Sequence, residues 1–125
     1  MVEPATTAAD TALDNIIDAA LDHMAAGNPS AAIPHLSHAL TLAPNHPAAT
    51  HALLRALEDT NQIPEALALV HNLIAHSPDD VLAHTRLSIL LQKSGDIPAA
   101  EAASARARIL DWKRQLNSSI QFPED

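Results

Sequence analysis

Runs rich in Ala and Leu alternate along the chain with short segments that contain Gly, Asn or Pro. Ala and Leu are strong helix formers, whereas Gly, Asn and Pro commonly end helices or connect them. The alternation predicts six helices, over residues 11–26, 29–42, 47–60, 64–76, 80–94 and 97–115. Because the connections are short, we expect antiparallel helical pairs in an all-α fold.

Residues at the ends of these runs and at fixed places within them recur with a period of 34. Five classes of residue share this step, and they are Gly27, Asn61 and Gly95; Ala32, Ala66 and Ala100; Pro44 and Pro78; Leu53 and Leu87; Ile63 and Ile97. Gly or Asn can adopt the left-handed conformation that closes a helix. A small Ala lets two helices approach closely, and a Pro beyond the second helix stops it. The period therefore predicts three similar helical pairs.

This pattern resembles the tetratricopeptide repeat family over residues 13–114. The resemblance implies a right-handed α-solenoid of three helix-turn-helix repeats, at about 13–46, 47–80 and 81–114. We expect one domain at 11–116, with flexible segments at 1–10 and 117–125.

The chain departs from the family at two kinds of position. Smaller residues stand where the first helices usually carry large aromatics, which predicts lighter packing. Pro34 falls inside the second predicted helix, where it removes a backbone hydrogen bond and should kink or restart that helix.

Composition and charge limit the class of protein. Apolar residues make up 47% of the chain but aromatics only 2%, so we expect a core of small side chains. A net charge of −8 disfavours nucleic acid as a partner, and no cysteine is present for disulfides or thiolate metal sites. The N-terminus lacks a basic region followed by an apolar run, and no stretch is long enough to span a membrane. We expect a soluble cytoplasmic protein.

The resemblance also implies a function. In this family the first helices of the repeats line a concave groove, which binds peptides or amphipathic helices of partner proteins. We therefore expect a non-catalytic interaction scaffold or adaptor. The candidate groove residues are Asp14, Ile17, Leu21, Met24, His51, Arg55, Glu58, Asp59, Thr85, Arg86, Ile89, Gln92 and Lys93.

One branch of the family clamps the C-terminal carboxylate of a peptide with Lys, Asn and Arg side chains. The corresponding places here hold Ile17, Leu21, Ala52 and Leu82, and only Arg86 fits. A carboxylate buried without cationic and amide donors would not be neutralised. We do not expect this chain to use that clamp.

The eight histidines suggest metal binding, but their spacing does not support it. Only His35 and His38 are separated by one helical turn, and no third ligand lies near them in sequence. The chain also lacks a Gly-rich phosphate loop and the common nucleophile and metalloprotease motifs. We expect no metal site, no cofactor and no enzymatic activity.

Charge is distributed unevenly along the chain. Asp14, Asp18 and Asp22 line one face of the first predicted helix, and no Lys or Arg precedes Arg55. Asp is favourable in a first helical turn, which explains Asp14 but not Asp22. A basic partner would explain all three.

Self-assembly is the alternative function. The last predicted helix is basic and partly apolar, so it could receive the acidic first helix of a second copy, head to tail. The candidate residues for this contact are Asp18, Asp22, Arg108, Trp112 and Arg114.

Overall fold

Six α-helices make up residues 8–119, the part of the chain that the computed structural model describes. They are α1 (Ala8–Ala25), α2 (Pro29–Leu42), α3 (Pro47–Asp59), α4 (Ile63–His76), α5 (Val81–Ser94) and α6 (Ile97–Ser119). No strand occurs within those residues, so the prediction of an all-α fold is confirmed.

The largest differences from the predicted bounds lie at the two ends. Helix α1 begins at Ala8 where residue 11 was expected, and α6 ends at Ser119 where residue 115 was expected. Helix α6 runs on because no Gly or Pro follows Pro98 until Pro123. Both helices thus enter segments expected to be flexible, 1–10 and 117–125; residues 1–7 and 120–125 lie outside the described part of the chain.

Pro34 does not divide α2, which is continuous from Pro29 to Leu42. The missing N–H at Pro34 deprives the carbonyl of Ser30 of its helical partner. Both residues are exposed, so water can reach this first turn of the helix. The expected restart of the helix is therefore absent.

The first helix of each repeat ends in the same way. Gly27, Asn61 and Gly95 adopt the left-handed conformation, with φ of 80°, 60° and 92°. The following N–H then reaches back five residues, from Asn28 to the carbonyl of His23 at 2.8 Å, from Gln62 to Leu57 at 2.8 Å and from Asp96 to Leu91 at 2.9 Å. This is the Schellman pattern, which satisfies carbonyls that a helix end would leave unpaired.

We expect Gly95→Ala to lower the free energy of unfolding by about 1 kcal/mol, because a side chain in the left-handed region is strained. A Cβ at this position would meet no atom within 4 Å, so the backbone alone accounts for the cost. Urea denaturation followed by circular dichroism measures the change. Gly95→Asn is the matched control and should lose less, since Asn61 already adopts this conformation. Equal losses for Ala and Asn would contradict this explanation.

The helices group into two units, one ending at Gln62 and the other beginning at Ile63. In the N-terminal unit, α2 packs against α1 and α3, and α1 also contacts α3. In the C-terminal unit, α5 packs against α4 and α6. Within each unit, the first helix of one repeat thus packs on the second helix of the preceding repeat.

Small side chains occupy the positions where the period predicted close helix packing. Ala32 and Ala66 are fully buried and Ala100 is nearly so. The largest fully buried side chains are Leu36, Leu54, Val70 and Leu90, and none is aromatic. The core is therefore built from alanine and aliphatic side chains, as the low aromatic content predicted.

Candidate partner-binding surfaces

The α1 candidates differ in how far they reach solvent. Asp14 is exposed, Leu21 is 45% exposed, and Met24 is half-buried. Ile17 is only 6% exposed, so its side chain belongs to the core of the N-terminal unit rather than to its surface. The apolar surface that α1 offers a partner is therefore provided by Leu21 and, in part, by Met24.

The α3 candidates provide charge beside α1. Arg55 and Asp59 are exposed and form an ion pair in which Arg55 Nε lies 4.0 Å from Asp59 Oδ2. An exposed pair of this kind is worth only about 0–1 kcal/mol, so a partner can displace it at little cost. His51 and Glu58 are half-buried at the same helix.

The α5 candidates lie in the C-terminal unit. Thr85, Gln92 and Lys93 are exposed, whereas Arg86 and Ile89 are half-buried. This helix thus presents polar and cationic groups with one partly accessible apolar side chain. All of these residues lie within one helix, so the helix itself brings them together.

The acidic stripe of α1 reaches solvent along its whole length. Asp14, Asp18 and Asp22 are all exposed. Within residues 8–119, none of the three forms an ion pair. The structure therefore leaves this charge open to a basic partner.

The side chains of α6 that were considered for self-association lie in different surroundings. Arg114 Nη2 lies 2.6 Å from Asp111 Oδ1, which is an ion pair within the helix. Trp112 is 61% exposed. Leu110, in contrast, is 7% exposed and belongs to the core of its unit, so it offers no surface for association.

The end of the array at α6 is polar. Ser104 occupies the position that Leu36 has in α2 and Val70 has in α4, one or two periods earlier, and both of those residues are fully buried. Arg108 Nη1 donates to Ser104 Oγ at 3.0 Å and keeps this surface hydrophilic. A polar face of this kind is what a repeat needs where that side is open to solvent.

The end of the array at α1 is polar as well. Ala49 and Ala56 are fully buried in α3. One period earlier, the same positions in α1 hold Asn15 and Asp22, both exposed. Residues that are buried in an internal repeat are thus replaced by solvated ones in the first repeat.

The histidine rings form a contact that the sequence spacing did not predict. His23 on α1 stacks on His35 on α2, with ring centroids 5.4 Å apart and planes at 13°. Both lie a few residues from the turn at Gly27, and antiparallel packing brings such positions side by side. Among residues 8–119, no group of three or more His, Asp or Glu side chains could hold a metal ion.

A cavity of about 650 Å³ in the C-terminal unit was also not predicted. The start of α5 lines one side, with Asp80 and Leu82, and the end of α6 lines the other, with Lys113 and Asn117. The sequence signal that could have indicated it is the lack of Gly or Pro between residue 115 and Pro123. Without a helix breaker there, α6 continues past the start of α5 and forms this wall.

The comparisons with known proteins agree with this architecture. A family model described as Tetratricopeptide repeat matches residues 23–80, from the last turns of α1 to the turn before α5. No curated protein matches the chain. In the described residues, no helix is both long and apolar enough to cross a membrane. Repeats of this family generally mediate protein–protein interaction and are generally non-catalytic. The 34-residue period, the six helices and the match to the family model together support a tetratricopeptide repeat architecture, with the match itself covering 58 of the 125 residues.

Proposed function

We propose that this protein is a non-catalytic adaptor that binds a segment of a partner protein on the exposed faces of its first helices. The observation that carries this proposal is the mixed character of the α1 and α3 surfaces in the N-terminal unit. Leu21 supplies an exposed apolar contact, and Arg55 and Asp59 supply exposed charges. Binding sites for peptides commonly combine an apolar anchor point with a polar surround.

The charges on this unit favour a basic segment. The α1 and α3 candidates include three acidic residues, Asp14, Glu58 and Asp59, against the single cation Arg55. The exposed Asp18 and Asp22 add to this negative surface. Complementary charge speeds encounter and discriminates against acidic partners. The segment we expect is an amphipathic helix or an extended peptide with one apolar anchor and flanking Lys or Arg.

Helix α5 is a second candidate surface, to be tested separately. Its exposed Lys93 is a cation, whereas most charges on the α1 and α3 face are acidic, and its half-buried Ile89 is a partly accessible apolar contact. A peptide that perturbs α5 should therefore show a different charge preference.

The proposal is tested by selecting peptides from a random library and mapping them on the protein by chemical-shift perturbation. We expect selected peptides to carry an apolar anchor with basic flanks and to perturb Leu21, Met24, Arg55 and Glu58. Leu21→Ser should weaken their binding at least about tenfold, because a few anchoring contacts carry most of the binding energy and Leu21 is the apolar one on this face. Leu42→Ser on α2 is the matched control, since Leu42 is 52% exposed in the same unit, and it should leave binding unchanged. Perturbations confined to Ser37, Asn72 or Arg106 would contradict the proposal.

We prefer partner binding to head-to-tail self-assembly because the residues at both ends of the array are hydrophilic. In a stack that preserved the repeat spacing, Asp22 and Ser104 would lie at positions that hold buried apolar residues in internal repeats. Light scattering at low and high salt separates the two hypotheses. A monomer at both salt concentrations fits the adaptor, whereas oligomers that dissociate in salt would favour self-assembly through Asp18, Asp22, Arg108, Trp112 and Arg114.

A further inference from the structure

Helix α6 carries two apolar stripes on opposite faces. The first packs on α5 and is buried, and it consists of Ala100, Ala103, Ala107 and Leu110. The second, which we term the outer stripe, consists of Ala102, Ala105, Ile109, Trp112 and Leu116. Its spacing of three, four, three and four keeps its members on one side of the helix, roughly opposite the buried stripe at about 100° per residue.

The large side chains of the outer stripe are open to solvent. Ile109 is 44% exposed, Trp112 61% and Leu116 43%. Three large apolar side chains in a row on one helical face form the kind of patch that marks an interaction site. The stripe spans about 21 Å along the helix, which matches two heptads of a partner helix.

The outer stripe depends on the greater length of the last helix. The positions of Ala102, Ala105 and Ile109 have equivalents in α2 and α4, all of them exposed, so this face looks outward in every repeat. There it bears small or polar residues, which are Pro34, Ser37, Thr41, Ala68, His71 and Ala75, and both helices end before the positions of Trp112 and Leu116. The apolar surface of α6 is therefore not simply the place where a next repeat would pack.

Cations flank the large residues of the stripe. Arg106 and Lys113 lie along one edge and Arg108 along the other, at the positions that border the apolar seam of a coiled coil. Within the described residues, the structure gives no ion pair to Arg106 or Lys113. The single acid at the border, Glu101, lies beside the alanines and away from Trp112.

We propose that the outer stripe of α6 docks an amphipathic helix with acidic flanks from a partner protein. The apolar seam of that helix covers Ile109, Trp112 and Leu116, and its Glu or Asp residues pair with Arg106, Arg108 and Lys113. This surface lies on a second helix and is separate from the α1 and α3 face of the proposed function. It binds a partner of the opposite charge.

A second copy of this chain does not fit the stripe. If two α6 helices met along it, Arg106, Arg108 and Lys113 would face one another, and like charges at these positions discriminate against pairing. Helix α1 has the complementary charge but not the apolar seam. Its exposed positions at the same spacing are Thr11, Asp14, Asp18, Leu21 and Ala25, which would place two carboxylates against the apolar stripe.

Trp112 is the only tryptophan in the chain, so its fluorescence reports on the stripe directly. The probe is a synthetic three-heptad helix with Leu at the seam and Glu at the flanking positions. We expect it to shift the Trp112 emission to shorter wavelength in a saturable manner. A matched peptide with Lys in place of Glu should bind at least about tenfold more weakly, because it meets the cations of α6.

Variants of the protein test the two parts of the site. Ile109→Asp should abolish the shift, and Arg106→Glu with Lys113→Glu should reverse the preference between the Glu and Lys peptides. Arg114→Glu is the matched control, since Arg114 lies on the other side of α6, and it should keep the original preference. Leu21→Ser should change nothing here, so that failure of this site and failure of the proposed function remain distinguishable.

Three results would overturn the proposal. Equal binding of the Glu and Lys peptides would show an unspecific apolar surface. A short-wavelength emission without peptide, together with a dimer in light scattering, would assign the stripe to a second copy. A shift with phosphatidylserine vesicles but not with the Glu peptide would assign it to an anionic membrane.

Discussion

Replacing Leu90 with Ala is expected to lower the free energy of unfolding by about 2–5 kcal/mol, the cost of a cavity at a fully buried leucine. Leu90 belongs to the C-terminal unit and has no exposed surface. The surrounding core consists mainly of alanines, which have no rotamers with which to fill a void. Since small domains are stable by only about 5–15 kcal/mol, this loss removes a large share of the total.

Leu82→Ala is the matched control for Leu90→Ala. Leu82 belongs to the same helix but is 47% exposed, so we expect its truncation to change the free energy of unfolding by about 0.5 kcal/mol or less. Urea denaturation followed by circular dichroism measures both variants. Similar losses for the two leucines would mean that the core does not lie where the structure has it.

Ala66→Trp and Ala32→Trp are the second pair of substitutions with a large expected effect. Both alanines are fully buried in second helices, where adjacent helices approach on small side chains. Overpacking costs about 1–3 kcal/mol for added methylenes, and an indole exceeds such additions in volume. We expect each variant to lose at least about 3 kcal/mol or to fail to fold. Thermal melting followed by circular dichroism measures the loss.

Two exposed alanines provide the controls for this pair. Ala68 lies on α4 beside Ala66 but faces solvent, and Ala102 is exposed on α6. Trp at either position should leave the melting temperature close to that of the parent protein. If all four variants melted alike, burial would not explain the effect.

Much of the fold could be predicted from the sequence because its strongest signals are local. Gly27, Asn61 and Gly95 each end a helix through the same left-handed turn, and those turns fix where the following helices begin. The buried alanines at the 34-residue period are likewise visible in the sequence, because the need for a small side chain repeats with every repeat.

The features that could not be predicted from the sequence depend on tertiary packing. The stacking of His23 on His35 joins two helices, and no spacing within one helix could indicate it. Whether an apolar residue faces the core also depends on its neighbours. Ile17 and Leu21 are one helical turn apart and both were expected on the binding surface, yet one is buried and the other is exposed.

The polar ends of the array constrain how the protein could gain or lose repeats during evolution. A fourth repeat appended after α6 would have to bury Ser104 and Arg108, and one added before α1 would have to bury Asn15 and Asp22. Duplication of the middle segment, residues 47–80, meets no such obstacle, because all four of these polar residues lie outside it. In longer relatives of this chain we therefore expect the additional repeats to be internal, with the polar residues of the first and last helices retained.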